Sequence, residues 1–123
     1  MDALAEALSA RPRAYALGSV PEKPEYPYDV YAGSLGRGDS YTLDSREGVR
    51  WGRIIVQSFG RTADSATTSA EAVRELLVGA SLPVAGRRTT PTRSELDPAL
   101  VRDADDGGVI SVTATYIFTA TKE

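Results

Sequence analysis

Apolar and hydroxyl side chains alternate along the C-terminal segment of the chain. From Ile110 to Thr121 every second residue is apolar, and the residues between are Ser or Thr except for Ile117. Successive side chains of a β-strand point to opposite faces, so this pattern predicts one strand with a buried apolar face and a hydroxyl-bearing face. At about 3.3 Å per residue the strand would be roughly 40 Å long, about twice the usual length. The hydroxyl face is therefore predicted to meet solvent, a lumen or a partner through Thr113, Thr115 and Thr119.

Other segments also predict strands. Within residues 49–59, the run from Ile54 to Val56 is apolar at every position, which is typical of a central strand covered on both faces. Shorter strands are predicted at residues 13–20, 28–32 and 81–88.

The chain contains patterns for two helices. Residues 2–10 place Leu4 and Leu8 on one side, and Pro12 ends this segment. In the second pattern, Thr62 is a suitable N-cap and Gly79 a suitable stop. Apolar residues recur between them at helical spacing, so this helix should pack on a sheet through its C-terminal half: Val73, Leu76 and Leu77.

Two long segments read as loops. Residues 33–48 are rich in Gly, Ser and Asp, and residues 89–108 carry prolines, an arginine group and an acidic run, with a possible helical turn at 97–102. The order of elements predicts an α+β fold, in which two helices pack on a mostly antiparallel β-sheet with a long alternating C-terminal strand. A chain of 123 residues is expected to form a single domain, residues 1–123.

Composition excludes several functions. The chain contains no Cys and no His, which removes thiolate zinc sites, disulfides and the commonest general base. A net charge of -3 argues against specific nucleic-acid binding, and no apolar run is long enough to cross a bilayer. Adjacent carboxylates such as Asp105 and Asp106 are expected to be exposed, without the burial that tunes a catalytic pKa. We therefore expect a protein that is not an enzyme, with no cofactor or metal.

Three short sequence motifs do not identify a function. The acidic run lacks the oxygen ligands that a calcium loop requires at Gly107 and Ala114. The glycines of residues 33–38 have neither the order nor the context of a dinucleotide fingerprint. The tripeptide Arg37-Gly38-Asp39 matches one read by integrins, but a three-residue match in a Gly-rich loop is common by chance, and a solvated turn is the preferred explanation.

Charged residues of the two predicted loops are the candidates for assembly contacts. Arginines and acids of residues 86–107 are suited to an ion-pair network between subunits. The predicted interface residues are Arg37, Asp39, Arg46, Arg87, Arg88, Arg93, Asp103, Asp105 and Asp106.

The whole chain resembles one family. Tyr26-Pro-Tyr-Asp-Val-Tyr31 enters a strand, residues 49–58 form another, and Phe59-Gly-Arg-Thr-Ala63 opens a helix ending in Val73-Arg-Glu-Leu-Leu77. This arrangement, with the alternating final strand, is similar to that of the tail terminator and tail-completion proteins of long-tailed bacteriophages.

The resemblance implies a structural role in the virion. Such a protein forms a hexameric ring that caps the tail tube, stops its polymerisation and offers its other surface to the head. The implied partners are further copies of the chain, the tail tube protein and a neck or connector protein, while DNA passes through without specific binding and no membrane is involved. The implied location is the head-proximal end of the tail, after assembly in the host cytoplasm.

Three alternatives remain open at this point. The first is a head-tail connector of the neck, and the second is an adhesion module that uses Arg37, Gly38 and Asp39. The third is a small acid-dependent hydrolase. Oligomeric state separates them, because only the terminator and connector require a closed ring.

Overall fold

The protein is mostly β-structure with one long helix. The computed structural model describes residues 2–11, 13–38, 49–82, 87–95, 99–103 and 109–122. In chain order the described elements are α1 (Asp2–Ala7), β1 (Ala14–Ala16), β2 (Tyr28–Gly38), β3 (Val49–Gly60), α2 (Ala63–Leu77), β4 (Arg87–Thr89), β5 (Arg93–Ser94), β6 (Ala99–Asp103) and β7 (Val109–Lys122).

The described strands form one seven-stranded sheet in the order β1-β2-β3-β7, and β4, β5 and β6 follow one another along the far edge of β7. β3 and β7 pair from Val49 opposite Thr121 to Gly60 opposite Ile110. The sheet is mixed, because β1 runs parallel to β2 while the other described pairs are antiparallel. The predicted α+β fold is therefore confirmed in outline. The correction to the predicted sheet is that one strand pair, β1 with β2, is parallel.

The predicted alternation of the C-terminal strand is confirmed. The even-numbered residues from Ile110 to Ala120 are buried, and Tyr116 and Phe118 are 1% and 2% exposed. The odd-numbered residues from Ser111 to Thr119 are only partly buried. The buried set forms the core with Ile54 and Val56 of β3 and with side chains of both helices.

The second predicted loop contains two strands, β5 and β6, among its described residues. Ala99–Asp103 is β6, so the helical turn expected at residues 97–102 is wrong. The physical reason is long-range: β7 is 14 residues long, and its second edge carries backbone groups that the returning chain can pair with. Of the strand expected at residues 81–88, Arg87 and Arg88 belong to β4, whereas Ser81 and Leu82 lie outside any element. Residues 83–86 lie outside the described residues.

The first predicted loop is shortened from its start. β2 continues through Gly38, so residues 33–38 belong to the sheet, with an irregularity between Leu35 and Gly38. Residues 39–48 lie outside the described residues.

The two predicted helices differ in length. α2 begins after Thr62, whose hydroxyl oxygen accepts from the Ser65 N–H at 3.1 Å, and it ends before Gly79, whose φ is +85°. α1 ends at Ala7, because the Ser9 N–H bonds to the Glu6 carbonyl, a three-residue spacing that tightens the chain into a turn. The predicted helical layer is thus one long helix and one short one.

Close contact between β3 and its neighbours depends on two glycines. A Cβ at Gly52 would overlap the ring of Phe118, the residue paired with it on β7. A Cβ at Gly60 would lie 2.7 Å from the backbone nitrogen of Ala66 in α2. Gly60 therefore lets the start of α2 approach the end of β3.

Packing of α2 on the sheet gives a direct stability test. Leu77 is 0% exposed in the main core, so Leu77→Ala should lower the free energy of unfolding by about 2 to 5 kcal/mol through lost contacts and a residual cavity. Urea unfolding measures the change. Leu17→Ala is the matched control, since Leu17 is 71% exposed and should change stability by no more than about 0.5 kcal/mol. Equal losses would contradict the packing.

A buried polar network links three distant parts of the chain. Arg11 Nε donates to Asp29 Oδ2 at 3.0 Å, and Ser69 Oγ donates to Asp29 Oδ1 at 2.7 Å. Arg11 Nη2 also donates to Ser69 Oγ at 2.8 Å, which closes the triangle. The network joins the segment after α1 to β2 and to α2, and Asp29 is 0% exposed.

Stability should depend on alkaline pH through Tyr116. Burial raises the pKa of Tyr116 above its ordinary value of 10.0, the positive charge of Arg74 opposes this, and the negative charge of Asp29 adds to it. The unfolded chain therefore loses the proton first, so this contribution is fully present below about pH 10 and is lost as the pH rises further. Urea unfolding from about pH 8 to about pH 11 should show a smaller decrease for Tyr116→Phe than for the wild type. Identical decreases would contradict this role.

Candidate functional site

The helices cover one side of the sheet and leave the other side, termed here the open face, without a covering element among the described residues. From β7 it carries the odd-numbered residues, including Thr113, Thr115 and Ile117. From β3 it carries the residues that alternate with buried Ile54 and Val56: Trp51, Arg53, Ile55 and Gln57. An uncovered face of this length is the principal candidate for a binding surface.

Large apolar side chains lie in the middle of the open face. Trp51 is 47% exposed and Ile55 is 43% exposed. Ile117 is paired with Arg53 on the neighbouring strand and so lies diagonal to both of them, within reach of long side chains. We call Trp51, Ile55 and Ile117 the apolar patch. Contiguous exposed apolar groups of this kind mark interaction surfaces.

Guanidinium groups border the apolar patch. Arg53 Nη2 lies 2.9 Å from Glu95 Oε1, and Arg93 is paired with Ile117 from the opposite side of β7. Arg88 is exposed and paired with Thr121, further along the same edge. The Arg53–Glu95 pair is exposed, so it contributes at most about 1 kcal/mol to stability and mainly orients Arg53. The open face thus combines an apolar centre with positive charge from Arg88 and Arg93, for which the described residues provide no ion-pair partner.

The threonine hydroxyls of the open face are less accessible to a partner than the sequence suggested. The Thr119 backbone N–H donates to Thr90 Oγ1 at 2.9 Å, and the Thr119 hydroxyl lies 3.1 Å from the same oxygen. Thr113 and Thr115 are partly buried. All three predicted residues lie on the open face, but its protruding groups are aromatic, aliphatic and basic.

An aromatic cluster occupies the other end of the open face. The Tyr28 ring stacks on Phe59 with centroids 4.9 Å apart, and Tyr26 and Tyr15 lie 5.3 Å and 6.2 Å from Tyr28. Arg61 lies over the Tyr26 ring at 4.7 Å. This cluster explains the Tyr26-Pro-Tyr segment structurally, because it fastens the chain before β2 to the end of β3.

The other predicted interface residues fall in several places. Arg88 and Arg93 are exposed on the open face. Arg37 lies in β2, Arg87 in β4 and Asp103 in β6, so these positions belong to strands rather than loops. Asp39, Arg46, Asp105 and Asp106 lie outside the described residues.

Sequence reasoning missed the centre of this surface. Residues 49–59 were predicted to be a central strand, with the run from Ile54 to Val56 covered on both faces. The central position is confirmed, since β3 lies between β2 and β7, but α2 covers only one face and Ile55 is exposed on the other. A signal was present, because Trp51, Arg53 and Gln57 alternate with smaller or apolar residues. The consecutive apolar residues from Ile54 to Val56 concealed that period of two.

A groove lies on the opposite, helix-bearing side of the molecule. It has a volume of about 650 Å³ and its floor includes Ala70, Val78 and Val112. Charged side chains of α2 border it: Glu71, Arg74 and Glu75. We call this the helix groove.

Two further properties of the described residues concern metal ligation and membrane spanning. Within them, no group of three or more acidic side chains is placed to hold a metal ion. The helices of the described ranges are too short or too polar to span a bilayer.

Comparison with known proteins relates the fold to a virus-like particle. No protein-family profile and no curated protein sequence matches the chain. Among solved structures, a chain of the virion of a native gene transfer agent particle matches with a TM-score of 0.63 and 20% sequence identity. The match covers 96% of this chain and 84% of that chain. The protein therefore shares the fold of a gene transfer agent virion component over nearly its whole length.

Proposed function

We propose that this protein is a structural component of a phage-like virion, and specifically the tail terminator. The observation that carries the proposal is the shared fold with a gene transfer agent virion chain over 96% of the present chain. The resemblance of the segments around Tyr26, Phe59 and Leu77 to tail terminators supports the narrower assignment.

The open face supports an assembly role. Exposing Trp51 and Ile55 to water is unfavourable, and contact with another protein would remove that apolar area from solvent. A buried, hydrogen-bonded Asp29 and close packing of α2 supply a rigid scaffold for such a surface. The proposed role requires contacts rather than catalysis, consistent with a chain that contains no His and no Cys.

In the proposed assembly, copies of the chain form a ring of six. One side of the ring caps the tail tube protein and stops its polymerisation, and the other receives a neck or connector protein. DNA passes through the ring without specific binding, and the ring lies at the head-proximal end of the tail.

Imaging tests this assignment. Negative-stain micrographs of particles labelled with an antibody against this protein should show the label at the junction of head and tail. Particles produced without the gene should carry tails of uncontrolled length. Label confined to the distal tip would overturn the proposal. Tails of normal length that merely fail to join heads would favour the alternative role of a neck connector.

A double substitution tests the role of exposed positive charge. Arg87→Glu with Arg88→Glu should leave the domain folded, because Arg88 is exposed and an exposed charge contributes little to stability, but should give long or unjoined tails through misplaced like charges. The matched control is Asp39→Glu, which preserves charge and should leave infectivity unchanged. Normal assembly with lost infectivity in Asp39→Glu particles would favour the adhesion alternative.

A further inference from the structure

We propose that the open face of one copy docks into the helix groove of the next, with Trp51 as the inserted side chain. This inference rests on the proposed ring and assigns the two surfaces that would build it. The occupant of each surface is therefore a second copy of the same chain.

The sizes of the two surfaces agree. Trp51 is 47% exposed on a sheet face that has no described cover. The helix groove has a volume of about 650 Å³, within the range of about 300–1,000 Å³ that accommodates a drug-sized molecule, so an indole ring fits with room for a neighbouring aliphatic side chain. The groove floor is apolar at Ala70, Val78 and Val112, so insertion would bury apolar surface on both sides. Buried tryptophans are frequent energetic centres of interfaces.

The charges of the two surfaces are opposite. Arg88 and Arg93 border the apolar patch, where Arg53 is already neutralised by Glu95. The helix groove is bordered by Glu71, Glu75 and Arg74, which leaves it an excess of one negative charge. The guanidinium groups of Arg88 and Arg93, which form no ion pair with another described residue, would thus face a predominantly acidic border, an arrangement that sets orientation and disfavours pairing of like surfaces.

The positions of the two surfaces allow a ring. α2 packs on the buried face of β3 and β7, so the helix groove and the apolar patch lie on opposite sides of the sheet. Contact between two unlike surfaces is heterologous. Repeated heterologous contacts produce a closed ring when the rotation between neighbours brings the last copy back to the first. Contact between two open faces would instead stop at a dimer.

Mixing two variants tests this pairing directly. Trp51→Asp disables the apolar patch and leaves the groove, whereas Val78→Asp disables the groove and leaves the patch. Both residues are exposed, so circular dichroism should show folded proteins. In analytical ultracentrifugation, each variant alone should be monomeric where the concentrated wild type forms larger assemblies. The mixture should form a complex of one copy of each and nothing larger.

Fluorescence supplies an independent readout. Trp51 is the single tryptophan of the chain, so in the mixture all tryptophan emission comes from the Val78→Asp variant. Its emission should shift to shorter wavelength on addition of Trp51→Asp protein, because the indole leaves water. No shift, with a monomeric mixture, would overturn the pairing. If the wild type still formed rings in that case, the proposed function would stand and the ring would use other surfaces.

Reversal of charge provides a second test that does not alter the apolar contacts. Arg88→Glu with Arg93→Glu should weaken assembly about tenfold or more, as should Glu71→Arg with Glu75→Arg, because each change places like charges together. A protein with all four substitutions should recover assembly. Failure to recover, or an equal loss in the control Leu17→Asp outside the apolar patch, would overturn the proposal. A wild type that stays monomeric at every concentration, with unshifted tryptophan emission, would also overturn the proposed pairing. The imaging of tails would then be the remaining test of the proposed function.

Discussion

Phe118→Asp should abolish folding, whereas the same substitution one residue earlier, Ile117→Asp, should leave a folded domain. Phe118 is 2% exposed and packs in the main core, where an unpaired carboxylate loses its hydration without gaining a partner. Domain stabilities of about 5–15 kcal/mol do not withstand both that desolvation and the loss of the ring. Ile117 is partly buried on the open face, beside Arg93 and the Arg53–Glu95 ion pair, so a carboxylate there stays in contact with water and lies near the positive charge of Arg93.

Circular dichroism and the dispersion of amide proton NMR signals would measure both outcomes. Tyr116→Asp should behave like Phe118→Asp, because Tyr116 is 1% exposed on the same buried face. Thr113→Ser and Thr115→Ser should remain folded, because they keep their hydroxyls on the open face. Equal tolerance of Asp at residues 117 and 118 would show that the two faces of β7 are wrongly assigned.

Arg11→Ala should be the most damaging substitution of an ionic side chain among the described ion pairs. It leaves Asp29, which is 0% exposed, with Ser69 as its remaining side-chain donor among the described residues. Removing one partner of a buried pair typically costs about 3–5 kcal/mol, and we expect about 3 kcal/mol because Arg11 itself is 18% exposed. The loss should appear in urea unfolding as a lower midpoint with an unchanged slope.

Glu25→Ala is the matched control for Arg11→Ala. Glu25 pairs with Arg13 at 3.5 Å but is 84% exposed, so its removal should change the free energy of unfolding by less than about 1 kcal/mol. Ser69→Ala should fall between the two, at about 1–3 kcal/mol, because it removes one hydrogen bond from a buried carboxylate. Similar small losses for Arg11→Ala and Glu25→Ala would mean that water reaches Asp29 in solution.

The stability of the folded domain matters for assembly because a rigid sheet holds the open face in place. The Arg11–Asp29–Ser69 network holds β2 against α2, and the Tyr28–Phe59 stack holds β2 against β3. A fixed sheet presents Trp51 and Ile55 without the entropic cost of ordering a mobile segment on binding. Substitutions in the network should therefore weaken the proposed ring only through loss of the folded domain, whereas substitutions at Trp51 should weaken it in a stable domain.

The sequence by itself determined the features that depend on neighbours along the chain. The period of two from Ile110 to Ala120 predicted which side of β7 is buried, because side-chain direction in a strand follows from backbone geometry alone. Thr62 and Gly79 located the ends of α2 for a similarly local reason, since a cap satisfies backbone groups within one turn. The C-terminal half of α2 packs where its apolar stripe indicated, with Val73 and Leu77 buried.

Only the tertiary structure decided the features that depend on distant partners. β4, β5 and β6 form because the edge of β7 is available for pairing, and no local sequence pattern indicates that edge. Asp29 is a buried ion-pair residue because Arg11 and Ser69, which lie 18 and 40 residues away, meet it in space. The open face exists because α2 crosses one side of β3, a choice between two faces that consecutive apolar residues in the strand leave undetermined. Trp51 and Ile55, the centre of the proposed interface, are exposed for that reason.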